Sequence, residues 1–306
     1  MMAEASRQLH LMGTVITLWV QAKQPEVLLD QAAQRLKQDE YRFSANADDS
    51  ELMQINHAAG HHGVQVTSDL FELITIGKRE SLRPNSALNI AIGPLVQTWR
   101  IGFDNARHPT DSQIQAKLPL IDPEQIQLDD ETQSVFLTRT GMAIDLGALA
   151  KGYFANQIIS MFKQAQADAG YIDLGGNVMT FGRNPHHVDG NWRIGIQNPF
   201  LSRGNPALTL NLQNVSVVTS GIYERVMQWQ GHQYHHVLDR YTGYPIPTDL
   251  ASLSIITPRS LDGEIWTTRL FGTAPVDIIH LIDQTPQTQA VVITSKGDMA
   301  LTQGLK

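Results

Sequence analysis

The stretch Ile144-Asp145-Leu146-Gly147-Ala148-Leu149-Ala150-Lys151-Gly152 sets the character of the chain. An acid closes a strand-like run, a glycine makes the turn, and a lysine falls in the first turn of the next helix. That helix is read from apolar residues at helical spacing, Leu149, Tyr153, Ile158, Phe162 and Ala165. Upstream, Val135 to Thr138 and Met142 to Ile144 are β-like around a turn at Thr140-Gly141. Downstream, the helix is expected to stop near Gly170 as a C′ glycine. A strand and a glycine turn follow, Tyr171-Ile172-Asp173-Leu174-Gly175-Gly176-Asn177. Strand, turn and helix succeed one another without a repeating βα unit, which implies an α+β fold of mixed sheets with flanking helices.

Working outward, Leu11 to Val20 reads as a strand and Glu26 to Tyr41 as a helix with Val27, Leu28, Ala32 and Leu36 at helical spacing. Ser68 to Leu82 reads as a second helix, with Leu70, Leu73, Ile74 and Gly77 inward and Pro84 as its stop. Ala106 to Asp130 is punctuated by Pro and Asp and reads as surface connection. The last third alternates strands with turns and returns to a short helix after Ser260. No internal repeat, heptad run or low-complexity tract appears.

Composition excludes several classes. With 306 residues, 42% hydrophobic and 17% charged, the chain can bury a sizeable core without staples. Its 23 basic and 30 acidic residues give a net charge of −7, and no Lys/Arg run concentrates the positive charge that nucleic acid demands. The absence of cysteine removes disulfides, thiolate metal sites, Fe–S clusters and a Cys nucleophile. No stretch approaches the roughly 20 apolar residues of a membrane span. The first residues lack the basic region and apolar run of a secretory signal, so a soluble, cytoplasmic protein is expected. There is no P-loop, no G-x-G-x-x-G turn, no G-x-S-x-G elbow and no H-E-x-x-H, which argues against NTPases of that type, Rossmann dehydrogenases, serine hydrolases and zincins.

Three constellations could carry chemistry. In 144–152, free N–H groups at a helix N-terminus together with the Lys151 ammonium favour an anion such as a phosphate, and Asp145 can orient a polar group or a hydrated cation. The plainer alternative is an acid at a helix start and a solvated lysine. In Asp262-Gly263-Glu264-Ile265-Trp266-Thr267-Thr268, Glu264 and Thr268 stand at i and i+4 and share a helix face. Such hard oxygens suit Mg²⁺ or Ca²⁺; the alternative is a threonine bonding back to its own helix. The third spans Thr219-Ser220-Gly221-Ile222-Tyr223-Glu224-Arg225 and Tyr234-His235-His236-Val237-Leu238-Asp239-Arg240-Tyr241-Thr242-Gly243. There His236 could accept a proton, with Asp239 as its orienter or as an acid for the acceptor. A zinc reading of His232, His235 and His236 fails for want of a helix to bring them together. The chain has 11 histidines, and pairs such as His61-His62 and His186-His187 need no role.

Together, the order and spacing of these segments resemble the ApbE family, the FAD:protein FMN transferases. Met12-Gly13-Thr14 is similar to the family's M-G-T, and Phe43-Ser44 with Ser50-Glu51-Leu52 and Asn56 to its F-S…S-E-L…N. Leu88-Asn89-Ile90-Ala91-Ile92-Gly93-Pro94-Leu95-Val96 with Trp99 resembles F-D-x-T-V-G-P-L-V…W. Asp145 to Tyr153 resembles D-L-G-G-I-A-K-G-Y, and Asp173 to Asn177 D-L-G-G-N. Thr219-Ser220-Gly221 matches T-S-G, and His236-Val237-Leu238-Asp239…Thr242-Gly243-Tyr244-Pro245 matches H-I-I-D-P-x-T-G-Y-P.

The resemblance implies an ApbE-like, T-fold-related architecture in one domain over residues 1–306, in which two lobes could flank an FAD site. It implies FAD as substrate, cleaved with a divalent cation, usually Mg²⁺. FMN then passes to a threonine or serine of an acceptor flavoprotein through a phosphoester. It puts the metal ligands at the Ala148 carbonyl, Glu264 and Thr268, with Thr267 a weaker candidate. Met12, Asn46, Ala87, Leu88, Asn89, Asp145, Lys151 and Leu238 fall on FAD-contact positions. Lys151 would offset pyrophosphate charge, His236 would be the base and Asp239 its support. Glu264 stands where the family has aspartate, one methylene shorter, which admits Mn²⁺ or Ca²⁺. Leu88-Asn89 replaces F-D, Asn46 replaces a frequent aromatic, and Arg240 replaces a proline. An FAD pyrophosphatase giving FMN and AMP, and a non-catalytic FAD-binding protein, are the alternatives. A cytosolic acceptor such as a soluble reductase is expected.

Overall fold

The computed structural model describes residues 2–223 and 225–306, so Glu224 of the Thr219 to Arg225 stretch lies outside the described residues. The chain opens with a hairpin, β1 (Ala3–Leu11) and β2 (Thr14–Ala22), joined by Met12 and Gly13, both at positive φ. Positive φ at both central residues matches the twist of the flanking strands. In β2 the alternate residues Ile16, Leu18, Val20 and Ala22 are buried. The expected strand from Leu11 is thus β2 alone, and Leu11 ends its neighbour. Helix α1 (Pro25–Arg42) starts on a proline and an acid, ends on a base, and buries Leu28, Leu29, Ala32 and Leu36.

After α1 come α2 (Glu51–His57), β3 (Val64–Gln65) and α3 (Ser68–Ser81). Ser50 caps α2 by accepting the Met53 N–H at 3.0 Å. Short helices α4 (Gly93–Trp99) and α5 (Asp111–Gln115) precede β4 (Ile126–Asp129) and β5 (Ser134–Leu137). The expected surface connection at 106–130 therefore contains α5 and β4. Strands β3, β5 and β4 form a small sheet of their own.

Met142 to Ile144 joins no sheet. The Asn56 side chain takes the place of a neighbouring strand: its Oδ1 accepts the Ile144 N–H at 2.7 Å and its Nδ2 donates to the Ile144 carbonyl at 3.1 Å. Helix α6 (Ala150–Gln164) ends well before Gly170, because Gln166 takes the left-handed conformation (φ 58) that a C′ glycine would have supplied. Gly170 lies inside β6 (Ala169–Asp173), paired with Phe181 of β7 (Asn177–Phe181).

The remaining elements are β8 (Trp192–Gln197), β9 (Pro206–Leu212), β10 (Ser216–Gly221), β11 (Val226–Trp229), β12 (His232–His235), β13 (Leu250–Thr257), α7 (Ser260–Arg269), α8 (Pro275–Asp283), β14 (Gln289–Thr294) and β15 (Met299–Leu301). An eight-stranded sheet runs β1-β2-β6-β7-β10-β13-β14-β15 with neighbours antiparallel. Every residue of β13 is buried, as a strand covered on both faces must be. Apolar side chains of β8 and β9 cover one face around Val217, Ile256, Val291 and Ile293. The other core joins β2 and β6 to α1, α3 and α6 through Leu29, Leu36, Leu73, Phe154 and Phe162. The fold is α+β. Among the described residues no helix is long and apolar enough to cross a membrane.

Candidate active site

Met12-Gly13-Thr14, Asp173 to Asn177 and Thr219-Ser220-Gly221 come together on the large sheet. The pairing of Thr17 with Asp173 brings the β1–β2 turn against the β6–β7 turn. Asp173 Oδ1 accepts the N–H groups of Gly175 at 2.9 Å and Gly176 at 3.0 Å, which tightens the second turn. At Gly175 (φ +76) a Cβ would lie 2.0 Å from Thr14 Oγ1, so only glycine lets the two turns touch. Met12, at the tip of the first turn, gives its N–H to the Glu40 carboxylate. The Thr219 N–H reaches the Gly176 carbonyl at 3.3 Å, so Thr219-Ser220-Gly221 on β10 ends beside both turns.

On the helical side, the Asp145 N–H bonds the Ile90 carbonyl at 2.9 Å and its Oδ1 accepts the Gly147 N–H at 2.8 Å. Burial pushes the Asp145 carboxyl up, while the Gly147 N–H and the Arg225 charge pull it back. Lys151 lies in the first turn of α6. Helix α6 meets α7 at Gly152, where a Cβ would lie 2.6 Å from Glu264 Cγ and 2.8 Å from the Ser260 carbonyl. This close approach brings Lys151 and Glu264 into one field: burial pushes the Glu264 carboxyl up and the Lys151 charge opposes it.

Glu264 is 5% exposed, and its Oε1 accepts from Asn177 Nδ2 at 2.8 Å. Asn177 is 1% exposed, and its Oδ1 accepts the Ser260 hydroxyl. Besides Asn177, only the Gly152 N–H supports this carboxyl among the described residues. A buried carboxylate has about four lone-pair sites, so about half are unmatched, and a cation relieves that condition. Thr268 is half-buried one turn beyond Glu264, and Ala148 is exposed ahead of α6. Carbonyl, carboxylate and hydroxyl are hard donors that fit Mg²⁺, Mn²⁺ or Ca²⁺, which complete their shells with water and phosphate oxygens. Thr267 is buried on the same helix, and its hydroxyl donates to the Glu264 carbonyl at 3.1 Å, which leaves the oxygen lone pairs free.

The histidine of the third motif comes from the other side. Hairpin β11–β12 stands as a sheet of two strands, with Arg225 and His236 flanking its base. His236 Nδ1 faces the Arg225 carbonyl at 3.4 Å; a carbonyl only accepts, so Nδ1 carries the proton and Nε2 keeps its lone pair. Burial, then the charges of Arg225, His235 and Lys151, lowers His236 to about 4. Both nitrogens of His235 are occupied, Nε2 by the Ile246 carbonyl at 3.0 Å and Nδ1 by the Val237 N–H at 3.3 Å. Among the described residues no group of three His, Cys, Asp or Glu side chains is arranged to hold a metal.

Several expected residues stand differently. Asp239 does not support His236: its Oδ1 accepts the N–H groups of Tyr241 and Thr242, each at 2.7 Å, and so shapes the turn to Gly243. Leu88 and Leu238 are buried in hydrophobic clusters and contribute packing. The Asn89 side chain is consumed by the Ile121 carbonyl at 2.8 Å and the Ala91 N–H at 2.9 Å. Ala87 is half-buried beside α7, with its N–H on the Arg269 carbonyl at 3.2 Å. Asn46 is exposed on a cavity of about 370 Å³ that Asn56, Gln97, Arg100 and Ile144 also line. Arg100 Nη1 holds the Asn46 side chain at 3.2 Å. The residues that motif reading left without a role are Asn177, which fixes Glu264, and Arg225, whose charge reaches both Asp145 and His236.

The profile of the ApbE family matches residues 12–293. An FAD:protein FMN transferase of Klebsiella pneumoniae is 40% identical over 292 residues, 95% of this chain and 90% of that protein. One from Treponema pallidum is 33% identical over 305 residues, 95% of this chain and 84% of that protein. Among solved structures, the ApbE protein of Thermotoga maritima superposes with a TM-score of 0.89 at 23% identity, covering 99% of this chain and 98% of that one. The apo form of the flavinyl transferase ApbE of Pseudomonas stutzeri gives a TM-score of 0.84 at 23% identity, covering 99% and 95%.

Proposed function

The chain belongs to the ApbE family, and from that premise we propose that it transfers FMN from FAD to a threonine or serine hydroxyl of an acceptor flavoprotein, releasing AMP. The observation that carries this reading is the junction at Gly152, where Lys151 and the buried Glu264 share one field and His236 feels the same lysine. In the reaction the acceptor hydroxyl oxygen bonds to the flavin-side phosphorus, the bond from that phosphorus to the bridging oxygen breaks, and AMP leaves with the bridging oxygen. His236 Nε2 takes the hydroxyl proton; it is neutral at physiological pH, as a base must be. Lys151 offsets negative charge on the phosphoryl oxygens as the bond to AMP lengthens. Asp145 and the turn at Met12 bound the substrate on the sheet side.

The Ala148 carbonyl, Glu264 and Thr268 would hold the divalent cation, Mg²⁺ or, given the longer Glu264, Mn²⁺ or Ca²⁺. Bound there, it would supply charge neutralisation at the pyrophosphate. Asn177 keeps the Glu264 carboxylate aimed. One domain and a cytoplasmic location go with this reading; recovery of the protein from an exported fraction would overturn the location.

The test incubates the protein with FAD, Mg²⁺ and an acceptor flavoprotein carrying a threonine-bearing segment, and follows AMP, free FMN and acceptor mass. An FMN-sized, metal-dependent mass gain on the acceptor is expected. AMP and free FMN with unmodified acceptors of several sequences would point to FAD hydrolysis instead.

A further inference from the structure

The FMN-transferase reading requires a protein partner, and one face beside the site has a composition and charge unlike the rest of this acidic chain. At the end of α3, three guanidinium groups converge on one carboxylate. Glu80, itself buried, accepts from Arg79 Nε at 3.0 Å, Arg83 Nε at 2.7 Å and Arg269 Nη1 at 3.4 Å. A fourth, Arg240, donates through Nη1 to the Ser81 carbonyl at 2.8 Å, one residue further along. Asp262, the other carboxyl that feels Arg79, is matched by Arg259. Glu80 thus stands against three guanidinium groups, and Arg240 adds a fourth beside Asp239, so with Asp262 and Arg259 matched the face carries two carboxylates against four arginines on a chain whose net charge is −7.

The positive charge is accessible. The side chains of Arg79 and Arg83 are 64% and 50% exposed, and each uses only Nε on Glu80, leaving the Nη donors outward. Tyr241 is 76% exposed, with the guanidinium of Arg240, which reaches the Ser81 carbonyl, 5.7 Å from its ring centre; Leu82 is exposed next to Ser81. Arginine and tyrosine are the residue types that anchor protein interfaces, whereas a purely solvated face is rich in lysine. Tyr241 is not a loose tip, since Asp239 fixes its N–H. The turn that carries it begins three residues after His236, and Arg269 sits on the helix of Glu264 and Thr268.

We propose that this Arg79–Arg83–Arg240–Tyr241 face docks the acceptor protein, through an acidic segment flanking the hydroxyl that receives FMN. The inference rests on the FMN-transferase reading. It accounts for what the site alone lacks: His236 and the cation ligands recognise a hydroxyl and a pyrophosphate, and nothing among them distinguishes one polypeptide from another. The arginines supply that distinction by paired bonds to carboxylates, and steer acidic partners to the site.

The test compares the unsubstituted chain with the Arg79→Glu/Arg83→Glu double variant and with Tyr241→Ala, which removes no charge. FMN transfer is followed against acceptor concentration, and FAD affinity by flavin fluorescence. Each variant is expected to raise KM for the acceptor protein about tenfold or more, with kcat at saturating acceptor and FAD affinity unchanged. The KM of the unsubstituted chain should rise with salt and that of the double variant should not. An acceptor with its acidic residues changed to lysine should restore the double variant's KM. Unchanged KM in both variants would overturn the inference. So would loss of binding to vesicles of anionic phospholipid with acceptor KM unaltered, since the face would then serve a membrane. Failure of the unsubstituted chain to modify any acceptor would overturn the FMN-transferase reading itself, and this inference with it.

Discussion

Asn177 and His236 illustrate opposite uses of burial. Asn177 spends both ends of its amide inside the protein, one on Glu264 and one on Ser260, and so ties β7 to α7. Asn177→Ala leaves a buried carboxylate with one partner fewer; it should cost roughly 1–3 kcal/mol in chemical denaturation and weaken Mg²⁺ binding in calorimetry, whereas a serine-sized loss elsewhere on β7 should not touch the metal. In His236 burial acts on the charge. Its pKa is lowered from 6.5 to about 4, so the folded protein stays deprotonated across that window while the unfolded chain takes up a proton. Stability therefore rises with pH between about 4 and 6.5 and is lost on acidification through it. The acid limb of kcat/KM for FMN transfer should likewise fall near pH 4 and not near 6.5. His236→Gln should reduce transfer by about 10²–10⁴-fold at pH 7, remove part of the acid-linked stability loss, and leave the pH 7 melting temperature close to its original value. An acid limb near 6.5 would contradict the role given to Nε2.

At the scale of elements, the decisive junction is α6 on α7 at Gly152. Gly152→Ala would push a methyl within 2.6 Å of Glu264 Cγ, where neither the carboxylate nor the Ser260 carbonyl can yield cheaply. The expected cost is about 1–3 kcal/mol, with cation affinity falling together with transfer; the control is Ala155→Gly on the same helix, which should lower stability alone. The legibility of the sequence follows how locally each element is determined. Helices α1, α3 and α7 announce themselves by spacing and terminal residues. Strand β1 does not, because it is a sheet edge whose residues are mostly exposed or half-exposed and include Glu4, Ser6, Arg7, Gln8 and His10. Met142 to Ile144 looks like a strand because its residues are apolar, yet its partner is one side chain 88 positions away, which no local pattern encodes. Lys151, Glu264 and His236 were readable as motif residues. The bond from Asn177 to Glu264 was not, since it joins a strand start to a helix interior across 87 positions. Reading Asp239 as a partner for His236 passes over its turn bonds for the converse reason: an acid before a tight turn is readily used by the turn itself.

For the molecule as a whole, cation and FAD should stabilise together if the ligands are those proposed, which come from the β1–β2 turn, the start of α6, the hairpin base and α7. At a hundred times the dissociation constant the gain is about 2.7 kcal/mol, readable as a rise in melting temperature with FAD and Mg²⁺ that EDTA reverses; separate, additive shifts would argue for two unconnected sites. The order of the large sheet has another consequence. Its strands rise monotonically along the chain, β1-β2-β6-β7-β10-β13-β14-β15. During synthesis each strand leaving the ribosome finds its predecessor already waiting, so the sheet can grow at one margin without rearrangement. The proposed reactive centre, by contrast, spans Met12 to Thr268. At about 5–20 residues per second, the nascent chain spends on the order of ten seconds or more as a growing sheet that cannot attack flavin nucleotides. A polypeptide abandoned by the ribosome before α7 would be inert toward the cell's FAD.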